Sequence, residues 1–274
     1  MHLKRWISSI IALPIVLYLI FSGGMPFLFL MIAVCAICLW EYFSIVFNNK
    51  HKNNLIIWLG FLLGIIIIIA AYEKSYDLIL LIAAFDLICC ALISIAASKT
   101  ESSLLEAVSK QVQGIIYIPI FLAFLVLIRN DINGNIWIFY ILFIIFAGDI
   151  GAYYIGTHFG RHKLIPIVSP GKTLEGAIAG LASNIIIGSI INYFMTGLPW
   201  GLDMLRLPWG RAIILFLTIG VAGQIGDLFE SQLKRNAKIK DSGKIMPGHG
   251  GLLDRIDALL FAAPAAYYFK MYVF

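Results

Sequence analysis

Long apolar runs alternate with short polar segments along the whole chain. An apolar run of about 20 residues can cross the hydrocarbon core of a bilayer as a helix. Such runs lie at 6–22, 25–47, 54–72, 77–97, 114–129, 135–156, 174–195, 211–230 and 253–273. The pattern predicts an all-α, polytopic integral membrane protein with about nine transmembrane helices. Pro14, Pro119 and Pro264 lie inside these runs, and each predicts a local bend.

Composition supports this fold class and excludes a soluble enzyme. Hydrophobic residues make up 61% of the chain and charged residues 13%, and the mean hydropathy is +0.93. A soluble domain is about 45–50% apolar and about 25% charged. The net charge of +5 does not indicate nucleic acid, because membrane proteins concentrate bases in their cytoplasmic loops. The four cysteines all lie inside apolar runs, which favours packing over metal binding.

The basic residues predict the orientation in the membrane. With a cytoplasmic N-terminus, fifteen of the 20 Lys and Arg residues fall on the cytoplasmic side. The polar segments 157–173 and 231–252 then both face the cytoplasm, where soluble nucleotides are found. We therefore expect a site on that side.

The most polar stretch runs from Gly223 to Asp257 and contains five of the 15 acids and six of the 20 bases. Asp227 ends one predicted span, while Asp254 and Asp257 lie three residues apart on one face at the start of the next. Carboxylates from two helix ends suit a hard cation such as Mg²⁺. The alternative is that Asp254 and Asp257 only complement a helix N-terminus, with Arg255 as an ion-pair partner.

A glycine-rich loop, P-G-H-G-G, separates these acids. Its glycines allow the backbone to approach a ligand closely. His249 within it could hydrogen-bond phosphate, act as acid or base, or only orient the loop. The sequence leaves all three roles open.

A second polar region lies upstream. Asp149 follows Gly148 in a span whose small residues, including Ala152, let a neighbouring helix pack closely. The turn S-P-G-K-T-L-E-G then enters a helix, where backbone N–H groups and Lys172 favour an anion. The alternative is an ordinary helix cap by Thr173. The Walker pattern is absent.

Two further acids lie inside predicted spans, where ionisable residues are costly. Asp86 lies in the middle of the fourth span, and a hydrogen-bonded structural role is favoured for it. Glu41 lies near the end of the second span, and no role is assigned to it.

The motifs carry a family resemblance. Residues 231–257, S-Q-L-K-R-N-A-K-I-K-D-S-G-K-I-M-P-G-H-G-G-L-L-D-R-I-D, closely resemble the signature of phosphatidate cytidylyltransferases, also called CDP-diacylglycerol synthases. The segments G-D-L-F-E-S (226–231), S-P-G-K-T-L-E-G (169–176) and G-D-I-G-A-Y-Y-I-G (148–156) are also similar to that family. Gly171 departs from it, because many relatives carry a second lysine there.

The resemblance implies transfer of the cytidylyl group of CTP to phosphatidic acid, giving CDP-diacylglycerol and pyrophosphate for phospholipid biosynthesis. It implies in-line attack of the lipid phosphate on the α-phosphorus without a covalent enzyme intermediate. It also implies Mg²⁺ as cofactor and allows a second cation such as K⁺. The partners are CTP, phosphatidic acid and membrane lipids, and a homodimer is allowed.

The resemblance also implies roles for individual residues. Asp227 and Asp254 are the expected metal ligands, with Asp149 and Asp257 as further acids. The expected phosphate-contacting or catalytic residues are Lys172, Lys234, Arg235, Lys240, His249 and Arg255. The remaining expected substrate-binding residues are Ser169, Thr173, Glu175, Asp241, Gly250 and Gly251. Residues 1–113 would be supporting helices and residues 114–274 the catalytic region, in a bacterial cytoplasmic (inner) membrane.

Other classes fit less well. A CTP-dependent polyprenol kinase would share a CTP site but release CDP instead of pyrophosphate. A CDP-alcohol phosphotransferase would need the pattern D-G-x-x-A-R, which is absent. An ion-coupled transporter using Asp86, Asp149 and Asp227 predicts an inverted repeat, whereas polarity here is concentrated in one half of the chain.

Overall fold

The computed structural model describes residues 13–47, 55–97, 101–197, 207–245 and 250–274. The chain divides into two compact units. Met1–Asn130 and Asn236–Arg255 form the first unit, and Asp131–Arg235 and Ile256–Phe274 form the second. The elements of the chain are almost all helical, as the apolar periodicity predicts.

The first unit is an assembly of apolar helices. They are α1 Leu13–Ser22, α2 Gly24–Val46, α3 Leu55–Tyr72, α4 Tyr76–Ala97, α5 Glu101–Ile115 and α6 Phe121–Arg129. Helix α3 packs against α2, α4 and α6, and side chains such as Leu39, Ile67 and Val126 are fully buried. A π-helical turn, Ile116–Ile120, joins α5 to α6 around Pro119. Proline has no N–H for the regular α-helical hydrogen bond, and the wider turn accommodates it without ending the helix.

The second unit contains α7 Gly134–Phe159, β1 Lys163–Ile165, β2 Ser169–Thr173 and α8 Leu174–Gly197, together with most of α9 Trp209–Asn236 and α10 Leu253–Tyr272. Helices α7 and α8 pack along glycines. A Cβ at Gly180 would lie 3.0 Å from the Gly148 carbonyl oxygen, and one at Gly176 2.8 Å from that of Ala152. This contact confirms that small residues give α7 a narrow face.

The turn before α8 is a β-hairpin, which the all-α prediction did not include. Strands β1 and β2 are antiparallel, with Lys163 opposite Thr173. Pro166 and Pro170 disfavour helix in this segment, because proline cannot donate a backbone hydrogen bond. Thr173 Oγ1 accepts the Gly176 N–H at 3.2 Å. Thr173 therefore caps α8, as the alternative interpretation proposed.

Seven helices among the described residues are long and apolar enough to cross a membrane. They are Gly24–Val46, Leu55–Tyr72, Tyr76–Ala96, Leu105–Arg129, Gly134–Phe159, Leu174–Met195 and Trp209–Asn236. The polytopic fold is thus confirmed, while the count of nine and the cytoplasmic N-terminus stay predictions. The predicted first span is described only as the short helix Leu13–Ser22. The predicted ninth forms α10, which carries Asp254, Arg255, Asp257 and Lys270 within its 20 residues and is not among these seven.

Candidate active site

The second unit encloses a cavity of about 530 Å³. Helices α7, α8 and α9, the β-hairpin and Ala258 of α10 form its wall. Its polar lining residues include Asp149, Ser169, Lys172, Thr173, Asn184, Gln224 and Asp227. A cavity of this volume can hold a small-molecule ligand.

An ion pair between Lys172 and Asp227 lies at the wall of this cavity. Strand β2 places Lys172, and the end of α9 places Asp227, so that Lys172 Nζ contacts Asp227 Oδ2. The hydroxyl of Ser231, one helical turn further, lies 3.5 Å from Asp227 Oδ1. The Lys172 and Asp227 side chains are 27% and 38% exposed, so both remain accessible to a ligand.

Two more carboxylates lie close enough to Asp227 to interact with it electrostatically. Asp149 on α7 and Asp257 on α10 each interact with the charges of Asp227 and Lys172. Helix α10 reaches this position because α9 is narrow: a Cβ at Gly226 would lie 3.1 Å from Phe261 Cβ. The cluster gathers more negative than positive charge around the cavity wall.

The basic residues at the end of α9 have partners within the second unit. Lys234 forms an ion pair with the buried Glu230 at 2.5 Å, and its charge also acts on Asp257. Arg235 is exposed, and its Nε donates to the Val168 carbonyl at 3.3 Å. Lys234 and Arg235 therefore belong to the same unit as the hairpin.

Glu175 closes the turn that precedes the hairpin. Its carboxylate accepts the N–H of Arg161 at 3.1 Å, and its Oε1 lies 2.6 Å from His162 Nδ1. These contacts give Glu175 a structural role. Its contact with substrate stays a prediction.

In the first unit, Asp254 holds two parts of the signature segment. Its Oδ2 accepts the N–H of Ser242 and the N–H of Gly251, each at 2.9 Å. Gly250 has a φ of +86°, and a Cβ there would lie 2.8 Å from Asp254 Oδ2, so glycine is required. Asp254 therefore accepts backbone N–H groups at the start of a helix, which is the alternative role predicted for it. Its predicted role as a metal ligand is not tested by these contacts.

The other predicted residues of the signature are surface positions or lie outside the described part. Lys240, Asp241 and Arg255 are exposed. His249 lies outside the described residues. The substrate contacts predicted for these four residues stay predictions.

Comparison with known proteins identifies the family. A family model described as the cytidylyltransferase family matches residues 3–273. The chain belongs to the cytidylyltransferase family.

Members of this family with similar sequences support that assignment. The chain is 30% identical to the phosphatidate cytidylyltransferase of Bacillus subtilis strain 168, over 97% of this chain and 96% of the relative. It is 31% identical to that of Staphylococcus haemolyticus strain JCSC1435, over 95% of each. It is 35% identical to that of Mycobacterium bovis, over 62% of this chain and 53% of the relative. Cytidylyltransferases are nucleotidyltransferases, and the chain is an enzyme of this class.

The structure adds residues of this cytidylyltransferase that sequence reasoning missed. Asn184 is 2% exposed and lines the cavity, and its Oδ1 has no hydrogen-bond partner among the described residues. Gln224 fastens α9 to α8 by donating to the Ala177 carbonyl at 2.9 Å. Glu41 is buried in the first unit. The signal available for Glu41 was a carboxylate inside an apolar span.

Proposed function

We propose that the chain transfers the cytidylyl group of CTP to phosphatidic acid, giving CDP-diacylglycerol and pyrophosphate for phospholipid biosynthesis. One observation carries the proposal beyond the family. A single cavity combines a cation, Lys172, with the carboxylates of Asp149 and Asp227. A cation such as Lys172 can bind phosphate groups, and carboxylates can bind the metal ion that accompanies phosphates.

The reaction is a displacement at phosphorus. An oxygen of the lipid phosphate forms a bond to the α-phosphorus of CTP, and the bond from that phosphorus to the bridging oxygen breaks. Pyrophosphate leaves with the electron pair of the broken bond. Both reactants are anions, so positioning and charge neutralisation supply most of the catalysis.

Lys172 is the cation we assign to the phosphates in the second unit. The start of α8 offers fewer free donors than its sequence suggests, because Leu174 N donates to the His162 carbonyl at 2.8 Å and Gly176 N to Thr173 Oγ1. The side-chain ammonium therefore provides the positive charge there. Lys234 and Arg235 extend it along α9, and Ser169 and Thr173 border the cavity.

The carboxylates suit a magnesium ion. Among the described residues, no cluster of three or more His, Cys, Asp or Glu side chains forms a metal-binding set by itself. Mg²⁺ commonly uses one or two carboxylates and keeps its other positions for water and phosphate oxygens. Asp227 already forms an ion pair with one cation, the Lys172 ammonium. A bound Mg²⁺ would neutralise phosphate charge at this position.

We propose Asp227 of the second unit and, from the family resemblance alone, Asp254 of the first unit as metal ligands, with Asp149 and Asp257 as further acids. A second cation such as K⁺ is part of the same proposal. We further propose a multi-pass protein of the bacterial inner membrane with its site on the cytoplasmic side. The distribution of basic residues supports that orientation.

Labelled CTP tests the reaction directly. The purified full-length protein in nanodiscs receives phosphatidic acid, Mg²⁺ and CTP labelled at either the α- or the γ-phosphate. Cytidylyl transfer places the α label in the lipid and the γ label in pyrophosphate. A γ label in the lipid with release of CDP would instead show a kinase, and no transfer of either label would reject both activities.

A further inference from the structure

Glu41 on α2 is a buried carboxylate whose observed donors come from the other end of the chain. Its Oε1 accepts the N–H of Leu252 at 3.0 Å. Its Oε2 accepts the N–H of Leu253 at 2.8 Å and the hydroxyl of Ser242 at 3.0 Å. The side chain is only 2% exposed, so these hydrogen bonds replace its hydration.

Two carboxylates join the same two points of the signature segment. Glu41 binds Ser242 at one end and Leu252 and Leu253 at the other. Asp254 likewise accepts the backbone N–H groups of Ser242 and Gly251. Residues 251 and 252 precede α10 and Leu253 is its first residue, and backbone N–H groups at a helix start lack partners within the helix. The two carboxylates thus satisfy these donors and link residue 242 to residues 251–253.

Two glycines of the signature make room for Glu41. A Cβ at Gly243 would lie 2.8 Å from Glu41 Cδ and 3.1 Å from its Cγ, and one at Gly251 would lie 2.7 Å from its Oε1. Neither glycine has a positive φ, so space and not backbone conformation requires glycine here. The sequence predicted that Gly251 serves a bound substrate. The structure shows it against an internal carboxylate.

We propose that Glu41 is a positioning residue that holds the described parts of the signature, residues 242–245 and 250–253, in their working shape. It acts through Asp254, which shares the same two anchor points. These residues are then ordered before substrate binds, and Gly243 and Gly251 are glycines in order to make room for Glu41. The consequence for catalysis rests on the proposed function, but the consequence for the shape of the segment does not.

Hydrogen exchange measured by mass spectrometry on the full-length protein tests the shape. Glu41→Ala removes the acceptor of three donors, and we expect amides in peptides that include residues 242–245 and 250–253 to exchange about 10- to 100-fold faster. Helix α3 should keep its wild-type protection. Glu41→Gln should be intermediate because it keeps one acceptor oxygen, while the shorter Glu41→Asp should resemble Glu41→Ala. Glu106→Gln, which removes an exposed carboxylate paired with Lys110, is the control.

A double-mutant cycle tests the contact itself. Gly243→Ala alone should accelerate exchange of the segment, because its Cβ collides with Glu41. In the Glu41→Ala background the colliding atoms are gone, so Gly243→Ala should add little. Gly210→Ala, which meets no atom within 4 Å, is the control for both backgrounds. If Glu41→Ala cannot be purified, the same cycle is run with the shorter Glu41→Asp and Gly243→Ala, and relief of the Gly243→Ala effect is then expected to be partial.

Kinetics connect the shape to the reaction. We expect kcat/KM for CTP to follow the exchange rates, with wild type above Glu41→Gln and Glu41→Gln above Glu41→Ala. Wild-type exchange in Glu41→Ala, acceleration spread evenly over α2 and α3, or additive effects in the cycle would each overturn the proposal. If no variant, including wild type, transfers the cytidylyl group, the proposed function fails while the exchange results still decide the role of Glu41.

Discussion

Two carboxylates in the two units show opposite uses of the same chemical group. Asp227 in the second unit is 38% exposed, lines a cavity and has Lys172 and Ser231 as partners. Glu41 in the first unit is 2% exposed and binds two backbone N–H groups and a buried hydroxyl. Side-chain partners at a cavity can turn toward a ligand, whereas backbone donors cannot leave without unfolding the segment. Asp227 is therefore suited to chemistry and Glu41 to architecture.

Asp254 combines the two uses. Its Oδ2 takes backbone N–H groups as Glu41 does, yet we assign it to the metal as we do Asp227. The comparison therefore predicts that losing Asp227 affects the reaction alone, while changes around Glu41 affect stability first. The following substitutions test this, starting with the largest expected effect.

Asp227→Asn should lower kcat by about 10³-fold, because a neutral amide binds the proposed metal ion at the reacting phosphates more weakly than a carboxylate does. Initial rates at saturating CTP and phosphatidic acid, measured over a Mg²⁺ titration, check this. Asp77→Asn removes a carboxylate from the first turn of α4 and should keep the wild-type rate. A near-wild-type rate with unchanged Mg²⁺ dependence in Asp227→Asn would show that our metal assignment is wrong.

Lys172→Met should lower kcat/KM for CTP by about 10²-fold. The substitution removes the cation beside Asp227 and leaves more negative charge to meet an anionic substrate. Lys163→Met on the other strand of the hairpin is the matched control, since Lys163 is exposed and does not line the cavity. Equal losses of kcat/KM in the two variants would mean that the total positive charge of the hairpin matters and the position of Lys172 does not.

Ser242→Ala should reduce the free energy of unfolding by about 1 kcal/mol, because Glu41 loses one of its hydrogen bonds and keeps two. Unfolding in SDS monitored by circular dichroism measures this. Ser109→Ala, whose hydroxyl donates to the Glu106 carbonyl on an exposed face, should change stability little. A large loss of kcat in Ser242→Ala without a change in stability would contradict an architectural role.

Gly171→Lys should lower the KM for CTP about 2- to 5-fold at low ionic strength, and less at high salt. The position lines the cavity, and a Cβ there meets no atom within 4 Å. Gly171→Gln is the neutral control of similar length. An unchanged KM in Gly171→Lys would show that this part of the hairpin does not face the phosphates of CTP.

The sequence predicted the elements that depend on local patterns. Apolar periodicity located the helices, and Gly148 and Ala152 beside Asp149 predicted close helix packing. Lys172 and Asp227 were expected in one site although 55 positions separate them, because each belongs to a recognisable motif. Their contact is observed. Their catalytic roles stay predictions.

What the sequence could not predict depends on contacts without a local pattern. The partners of Glu41 include backbone N–H groups, which every non-proline residue has, so nothing in the signature marks Leu252 or Leu253 as its donors. Pro119 indicated a bend but not that a π-helical turn would keep α5 and α6 continuous. The hairpin before α8 was missed because two short strands paired only with each other have little apolar alternation.

The distance in sequence between Glu41 and its partners has a consequence for biosynthesis. Leu253 is added 212 residues after Glu41, which takes about 10–40 s at ribosomal rates of roughly 5–20 residues per second. During that interval α2 carries a carboxylate in an apolar helix before these donors exist. Helix α2 can therefore complete the hydrogen bonding of Glu41 only after Ser242, Leu252 and Leu253 have been synthesised.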